Sequence, residues 1–369
     1  MKTLEFPWRA VAGCLAAALL AGCAGPFDSA QGDTVPSAER DTVPPVGGPS
    51  ALPQGLSGPQ PLAKALNLYV ANAAASTVTV YKPATTSPLL TISAGVNKPY
   101  GLAFDTSKNL YVANNGNNTV TVYKSGSSSV LRTISTNVNS PIAVAFNTSN
   151  DELYVANDPS SPPGSVTVYS AGGAYVTTIT TGIDVPVALA INDSGDVYVA
   201  NKDGNTVTVY SPSTNGLLYT VSAGVDDPDA LAIDSQGSLY VANLASDSGG
   251  NGSVTVYDSG SALSQTITSG IDFPVALAFG SHGYLSVANQ LNSTVTQYAP
   301  GSTKLAKTIT SGIDDPMSIA FGSHGYLNVG NVAGGGGFGS ITEYAPGSGK
   351  VALTITNGID APYKLAFGP

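Results

Sequence analysis

Seven Asx residues, Asn97, Asn139, Asp184, Asp226, Asp272, Asp314 and Asp360, each stand two places before a proline and recur 42 to 46 residues apart. Brought into a ring, five carboxylates and two amides would offer oxygen ligands to a hard cation such as Ca²⁺, or attract a cationic ligand. Asp227, Asp229 and Asp315 would reinforce that charge. The competing role is local, because Asp and Asn favour turns and hydrogen-bond to nearby backbone ahead of proline. Recurrence in every repeat favours the turn role, since a single site needs only one constellation.

Other chemistry is sparse. The two histidines, His282 and His324, both lie in Gly-Ser-His-Gly-Tyr-Leu. Paired imidazoles could bind metal or move protons, but other repeats carry Asp-Ser-Gln-Gly or Asn-Asp-Ser-Gly there, so a duplicated turn residue accounts for them. Asn72, Asn114, Asn157, Asn201, Asn243, Asn289 and Asn331 each end a short Val-rich run, where they would cap a strand and open a turn. One or two of them could also touch a ligand. After residue 64 the only glutamates are Glu152, in an expected turn, and Glu343, at a strand position of exposed type; the only arginine is Arg132. Bidentate clamps for carboxylate or phosphate are therefore scarce. No Gly-x-Ser-x-Gly elbow or phosphate loop is present. The glycine run 334–337 reads as a loop insertion. Tyr100 and Tyr363 are candidates to stack on a ligand, or to line the core.

The elements that must position these residues repeat as well. LYVANNGNNTVTVY, at residues 110–123, reads as two strands joined by a turn, its second half alternating Thr and Val at the strand period of two. The hairpin returns at Tyr69, Tyr154, Tyr198 and Tyr240, then as SVAN at Ser286 and NVGN at Asn328. A period near 42 with four short strands fits one propeller blade per repeat. In the second repeat these are 110–113, 119–123, 130–134 and 142–146. The fourth run follows Pro99, Pro141, Pro186, Pro228, Pro274, Pro316 or Pro362, with a small residue at Ala103 and its equivalents, which suits crowding near a ring axis.

Seven strands of the YVAN type and seven proline-led strands split one blade between the two chain ends. Residues 363–367 would then complete the opening blade and remove two free sheet edges. The expected fold is all-β: a seven-bladed propeller over residues 65–369, four antiparallel strands per blade, closed by the C-terminal strand. It places the Asx residues at one mouth of the central channel, and the histidine turns on the opposite face.

The repeats resemble the YVTN-type repeat of bacterial and archaeal surface propellers. Pro-x-x-Leu-Ala-Phe followed by Gly-x-Leu-Tyr-Val-Ala-Asn is similar to NHL and gluconolactonase-like propellers. Those folds serve lactonases, lyases, cofactor carriers and plain binding modules alike. The gluconolactonase-like enzymes hold a metal with a Glu, Asn and Asp in the channel, and no Glu here matches that position. The histidine pair resembles that of propeller lyases that open cyclic peptide lactones.

At the other end, Ala10–Leu20 is an apolar run too short to span a bilayer, ending in Leu20-Ala21-Gly22-Cys23. This looks like the lipobox of bacterial lipoproteins. The resemblance implies a signal peptide over 1–22, cleavage before Cys23, a diacylglyceryl group on its thiol and an acylated amino terminus; two or more chains anchor stably. Ala24 implies outer-membrane sorting in a Gram-negative cell. Residues 23–64, rich in Pro, Gly and Ser, form a linker. Cys14 and Cys23 are the only cysteines, so the repeat region has no internal disulfide or thiol nucleophile.

The formal net charge is −10, and loss of residues 1–22 makes it one more negative; with no basic stripe this excludes nucleic acid as an expected partner. The expectation is a monomeric, lipid-anchored propeller of the cell envelope that binds or scaffolds an envelope protein or polymer without catalysis. The alternative is a lactonase- or lyase-like enzyme with a divalent metal, Ca²⁺ foremost, at the Asx mouth.

Overall fold

The computed structural model describes residues 66–159, 162–245, 250–258, 260–322, 324–332 and 338–369. The signal segment, Cys23, the linker and the glycine run 334–337 lie outside these residues. Among the described residues, twenty-eight strands form seven four-stranded antiparallel sheets. In blade 1 (residues 99–134) the inner strand Pro99–Phe104 pairs with Leu110–Asn114. That strand pairs with Thr119–Tyr123, which carries the outer strand Val130–Ile134. Blades 2 to 6 repeat this order at 141–179, 186–221, 228–267, 274–309 and 316–355. Blade 7 is composite, with Pro362–Gly368 pairing with Asn67–Asn72, followed by Thr77–Tyr81 and Leu90–Ile92. Each inner strand packs on the next, and Pro362–Gly368 on Pro99–Phe104 completes the circle. The chain is a seven-bladed β-propeller.

Both faces of a blade meet a neighbour, which explains the composition of the third strand. In Thr119–Tyr123 the Val side chains on one face and the Thr121 methyl on the other are all buried. A strand with no wet face needs β-branched residues on both sides, so Thr substitutes for Val where its hydroxyl has a partner. The recurring alanine has a local cause. Ala103, Ala145, Ala190, Ala232 and Ala366 each lie directly opposite a second-strand tyrosine, Tyr111, Tyr154, Tyr198, Tyr240 and Tyr69. The small side chain makes room for the phenol.

The inner strands begin on the proline itself, one residue earlier than expected, and the expected strand 142–146 is Pro141–Asn147. Proline is tolerated at a strand's first residue because no ladder hydrogen bond is asked of its nitrogen. Glu152 opens the second strand Glu152–Asn157 rather than standing in a turn, with its carboxylate accepting from Asn150 Nδ2 and Tyr154 Oη. A single 3₁₀ turn, Asn115–Asn117, interrupts the hairpin of blade 1.

Candidate functional site

The Asx residues lie in the crossovers that lead from one blade's outer strand to the next blade's inner strand, and three bonds repeated seven times hold each crossover. First, the backbone N–H of Asn97, Asn139, Asp184, Asp226, Asp272, Asp314 and Asp360 donates to the side-chain oxygen of the second-strand asparagine, at 3.0–3.2 Å. Second, the tyrosine ending each third strand donates its hydroxyl to the carbonyl three residues before the Asx, as from Tyr123 to Ala94 and from Tyr81 to Asn357. Third, the residue just before the proline donates its N–H to the preceding blade's hairpin and accepts from its own, as Ser140 does from N–H to Asn118 Oδ1 and from Asp158 N–H to its carbonyl.

These pre-proline residues, Lys98, Ser140, Val185, Asp227, Phe273, Asp315 and Ala361, all have φ between 46° and 56°. None is glycine. The left-handed region costs an L-residue roughly 1–2 kcal/mol, and such strain persists only where the surroundings over-determine it. Here the bonds on both sides of the peptide impose it, coupling each blade to the one before.

The second-strand asparagines are consumed by the same architecture. Asn114 Nδ2 donates to Val112 O, Thr119 Oγ1 and Thr121 Oγ1 at 3.0–3.2 Å, while Oδ1 accepts from Asn97 N–H. The pattern holds in every blade, with Ser165, Ser253 or Ser340 in place of the first threonine in three of them. All seven are buried, with both ends of the amide hydrogen-bonded inside the ring. They are internal staples beneath the turn, which corrects the expectation that they cap strands and removes them as ligand contacts.

The Asx side chains themselves are half-exposed or exposed, and none hydrogen-bonds to a described residue. Among the described residues no group of three or more His, Cys, Asp or Glu is close enough to hold a metal ion. The five carboxylates of this set therefore stand as separate charges, each on its own crossover around the ring of blades.

Inside that ring, every inner strand carries a bulge at the residue after the proline, as shown by the register shifts from Pro99 to Gly101 and their equivalents. A bulge re-aims the side chain it carries. Tyr100 and Tyr363 stack on each other, with centroids 4.8 Å apart and planes 12° from parallel. Tyr363 also packs with Met317. Tyr100 packs on the cluster holding Ile142 and Val187. The bulged position holds an apolar or aromatic residue in six blades and the fully buried Asp229 in blade 4.

Beside it Asp227, also buried, pairs with Lys202 Nζ at 3.3 Å. Nearby, burial raises the Asp158 carboxyl above its ordinary range, Asp203 adds to the rise and Lys202 opposes it. A second buried charge, Lys364, stands on the inner strand of blade 7. Sequence reasoning missed Lys202 and Lys364, although a lysine interrupting the apolar run Tyr363–Phe367 was a visible signal.

On the opposite face the histidines part company. His282 is exposed, its Nδ1 3.2 Å from Ser281 Oγ. His324 lines a cavity between blades 6 and 7 together with Glu343. Glu343 is half-buried there, because no face of a propeller's third strand is exposed, and this corrects its expected exposure.

No protein-family model matches the sequence, and no curated protein does. Among solved structures the chain is similar to the crystal structure of a functionally unknown protein from Desulfotomaculum acetoxidans DSM 771. That match has a TM-score of 0.69 and 17% identity, and covers 82% of this chain and 98% of the other. At this identity the likeness is one of fold.

Proposed function

We propose that this chain is a lipid-anchored propeller of the cell envelope, of the YVTN/NHL type, that works as a non-enzymatic binding or scaffolding module. The observation that carries the binding reading is the use made of the repeated polar residues. The asparagines, threonines, tyrosine hydroxyls and Asx amides serve the ring in all seven blades. What the crossovers leave toward solvent is a set of separate carboxylates. Such a surface suits recognition of a cationic or polar envelope partner more than covalent chemistry. Leu20-Ala21-Gly22-Cys23 supports the anchor.

The test is expression of the full chain in a Gram-negative host, followed by membrane fractionation, mass spectrometry of the amino terminus and in vivo cross-linking. Membrane recovery with a triacylated Cys23, lost in Cys23→Ser, together with a discrete cross-linked partner, is the expected result. A soluble chain with a free Cys23 thiol would sink the anchor. Turnover of lactone substrates that depends on added Ca²⁺ and is lost in Asp272→Ala would sink the non-enzymatic reading.

A further inference from the structure

In five blades one tyrosine of the second strand plugs the cleft toward the next blade. Tyr69 meets Phe104 edge-on at 5.0 Å, Tyr240 meets Phe279 in the same way, and Tyr111 lies 5.7 Å from Phe146. The residue paired across from each is valine, for example Val80, Val122 and Val256. Blade 6 breaks both halves of the pattern. Asn328 stands where the tyrosine would be and Glu343 where the valine would be, directly opposite each other. Phe367, the counterpart of Phe104, is left facing a cavity of about 230 Å³.

Blade 5 makes a milder version of the same change, and there the pair satisfies itself, Gln297 Nε2 donating to Ser286 Oγ at 3.0 Å. In blade 6 the Asn328 amide donates to Tyr326 O at 3.3 Å and also hydrogen-bonds to the Glu343 carboxylate. The cavity is two-sided in character. Leu68, Leu353, Ile355 and Phe367 form its apolar wall, and Asn328, Glu343, His324 and Tyr326 its polar end. Pro83, Ala84 and Thr85 of blade 7 border it.

We propose that this cavity is a binding site for a small organic monoammonium ion, its apolar body against Phe367 and Leu353 and its charged head on the Glu343 carboxylate. The cavity's size and its apolar wall suit a short alkyl chain such as that of hexylamine. A cation beside a partly buried carboxylate recovers the solvation that burial removed. The chain's net charge of −10 draws cations toward it. Burial raises the Glu343 carboxyl and the Asn328 amide lowers it, so the free site holds its negative charge at a cost that an ammonium head relieves.

The experiment titrates hexylammonium, hexanol and hexanoate into the purified full-length chain by calorimetry at pH 7.5. It repeats the titration with Glu343→Gln and with Asn328→Tyr, which restores the plug used by the other blades. Hexylammonium should bind at least tenfold more tightly than hexanol, and hexanoate should not bind. Glu343→Gln should abolish the preference for the amine while leaving hexanol binding, and Asn328→Tyr should abolish both with an undiminished melting temperature. Equal affinity for amine and alcohol, amine binding untouched by Glu343→Gln, or no binding of any probe at millimolar concentration would each overturn the proposal.

Discussion

Replacing Asn114 by alanine deletes an amide whose two Nδ2 protons are shared among three acceptors and whose Oδ1 accepts one bond, at a fully buried position. The Thr119 and Thr121 oxygens each lose a donor, and the Asn97 N–H loses its acceptor. Leaving one buried donor unsatisfied costs about 1–3 kcal/mol, and the small void beneath the turn adds to it. The expected loss is therefore about 2–4 kcal/mol. Urea unfolding followed by circular dichroism should show the midpoint falling with the slope unchanged. Asn117→Ala, an exposed change in the same hairpin, should stay within about 0.5 kcal/mol. Asn114→Asp should be worse at pH 7 than Asn114→Ala, since it would bury a carboxylate against the Val112 carbonyl, and should recover in part as acid protonates it. An Asn114→Ala midpoint indistinguishable from that of Asn117→Ala would refute the claim that these asparagines staple the crossovers.

Three further outcomes are expected. Ala361→Gly, at φ 50°, should stabilise the fold by about 1 kcal/mol in the same urea assay, because glycine removes left-handed strain and no side chain beyond a methyl is lost. Glu343→Gln should melt above the parent at pH 7. Burial raises the folded carboxyl above its ordinary 4.5, so the parent loses stability as pH rises from 4.5 through the folded value, and the two melting curves should converge below 4.5. Burial, aided by Asp234, pushes the Tyr240 phenol up to about 12, and Tyr111, Tyr154 and Tyr198 are raised as well. Raised phenols contribute stability that is intact below pH 10 and lost above it, so absorbance at 295 nm should show these tyrosines ionising late and together with alkaline unfolding.

The ring was legible because its signal is multiplicative. One hairpin such as residues 110–123 proves little, but seven in phase with seven prolines leave one way to close. The staples were not legible, because their logic follows register and not spacing. Asn114 reaches Thr121 seven residues on, Asn157 reaches Thr167 ten on, and Asn243 reaches Thr255 twelve on, since hairpin loops of different length intervene. Glu343 misled for a related reason. Alternation along Ser340–Tyr344 suggests one wet face, and a third strand between two blades has none. The left-handed residues before the prolines share no composition at all, from Lys98 to Phe273, because hydrogen bonds on either side set their conformation and side-chain preference does not.

The composite blade has a mechanical meaning. The first strand of the ring, Asn67–Asn72, is not an edge: Pro362–Gly368 is bonded along one side of it and Thr77–Tyr81 along the other. Its tip is also tied across the seam, where Asp360 N–H donates to Asn72 Oδ1 and Tyr69 donates to Pro369 O. A pull arriving along the chain at residue 66 therefore loads two ladders lengthwise and at once, in shear, so that many bonds must fail together. Had the chain entered at an outer strand such as Val130–Ile134, the same force would unzip one ladder a bond at a time. By placing its entry inside a sheet, the ring meets traction from its amino-terminal side with its strongest geometry.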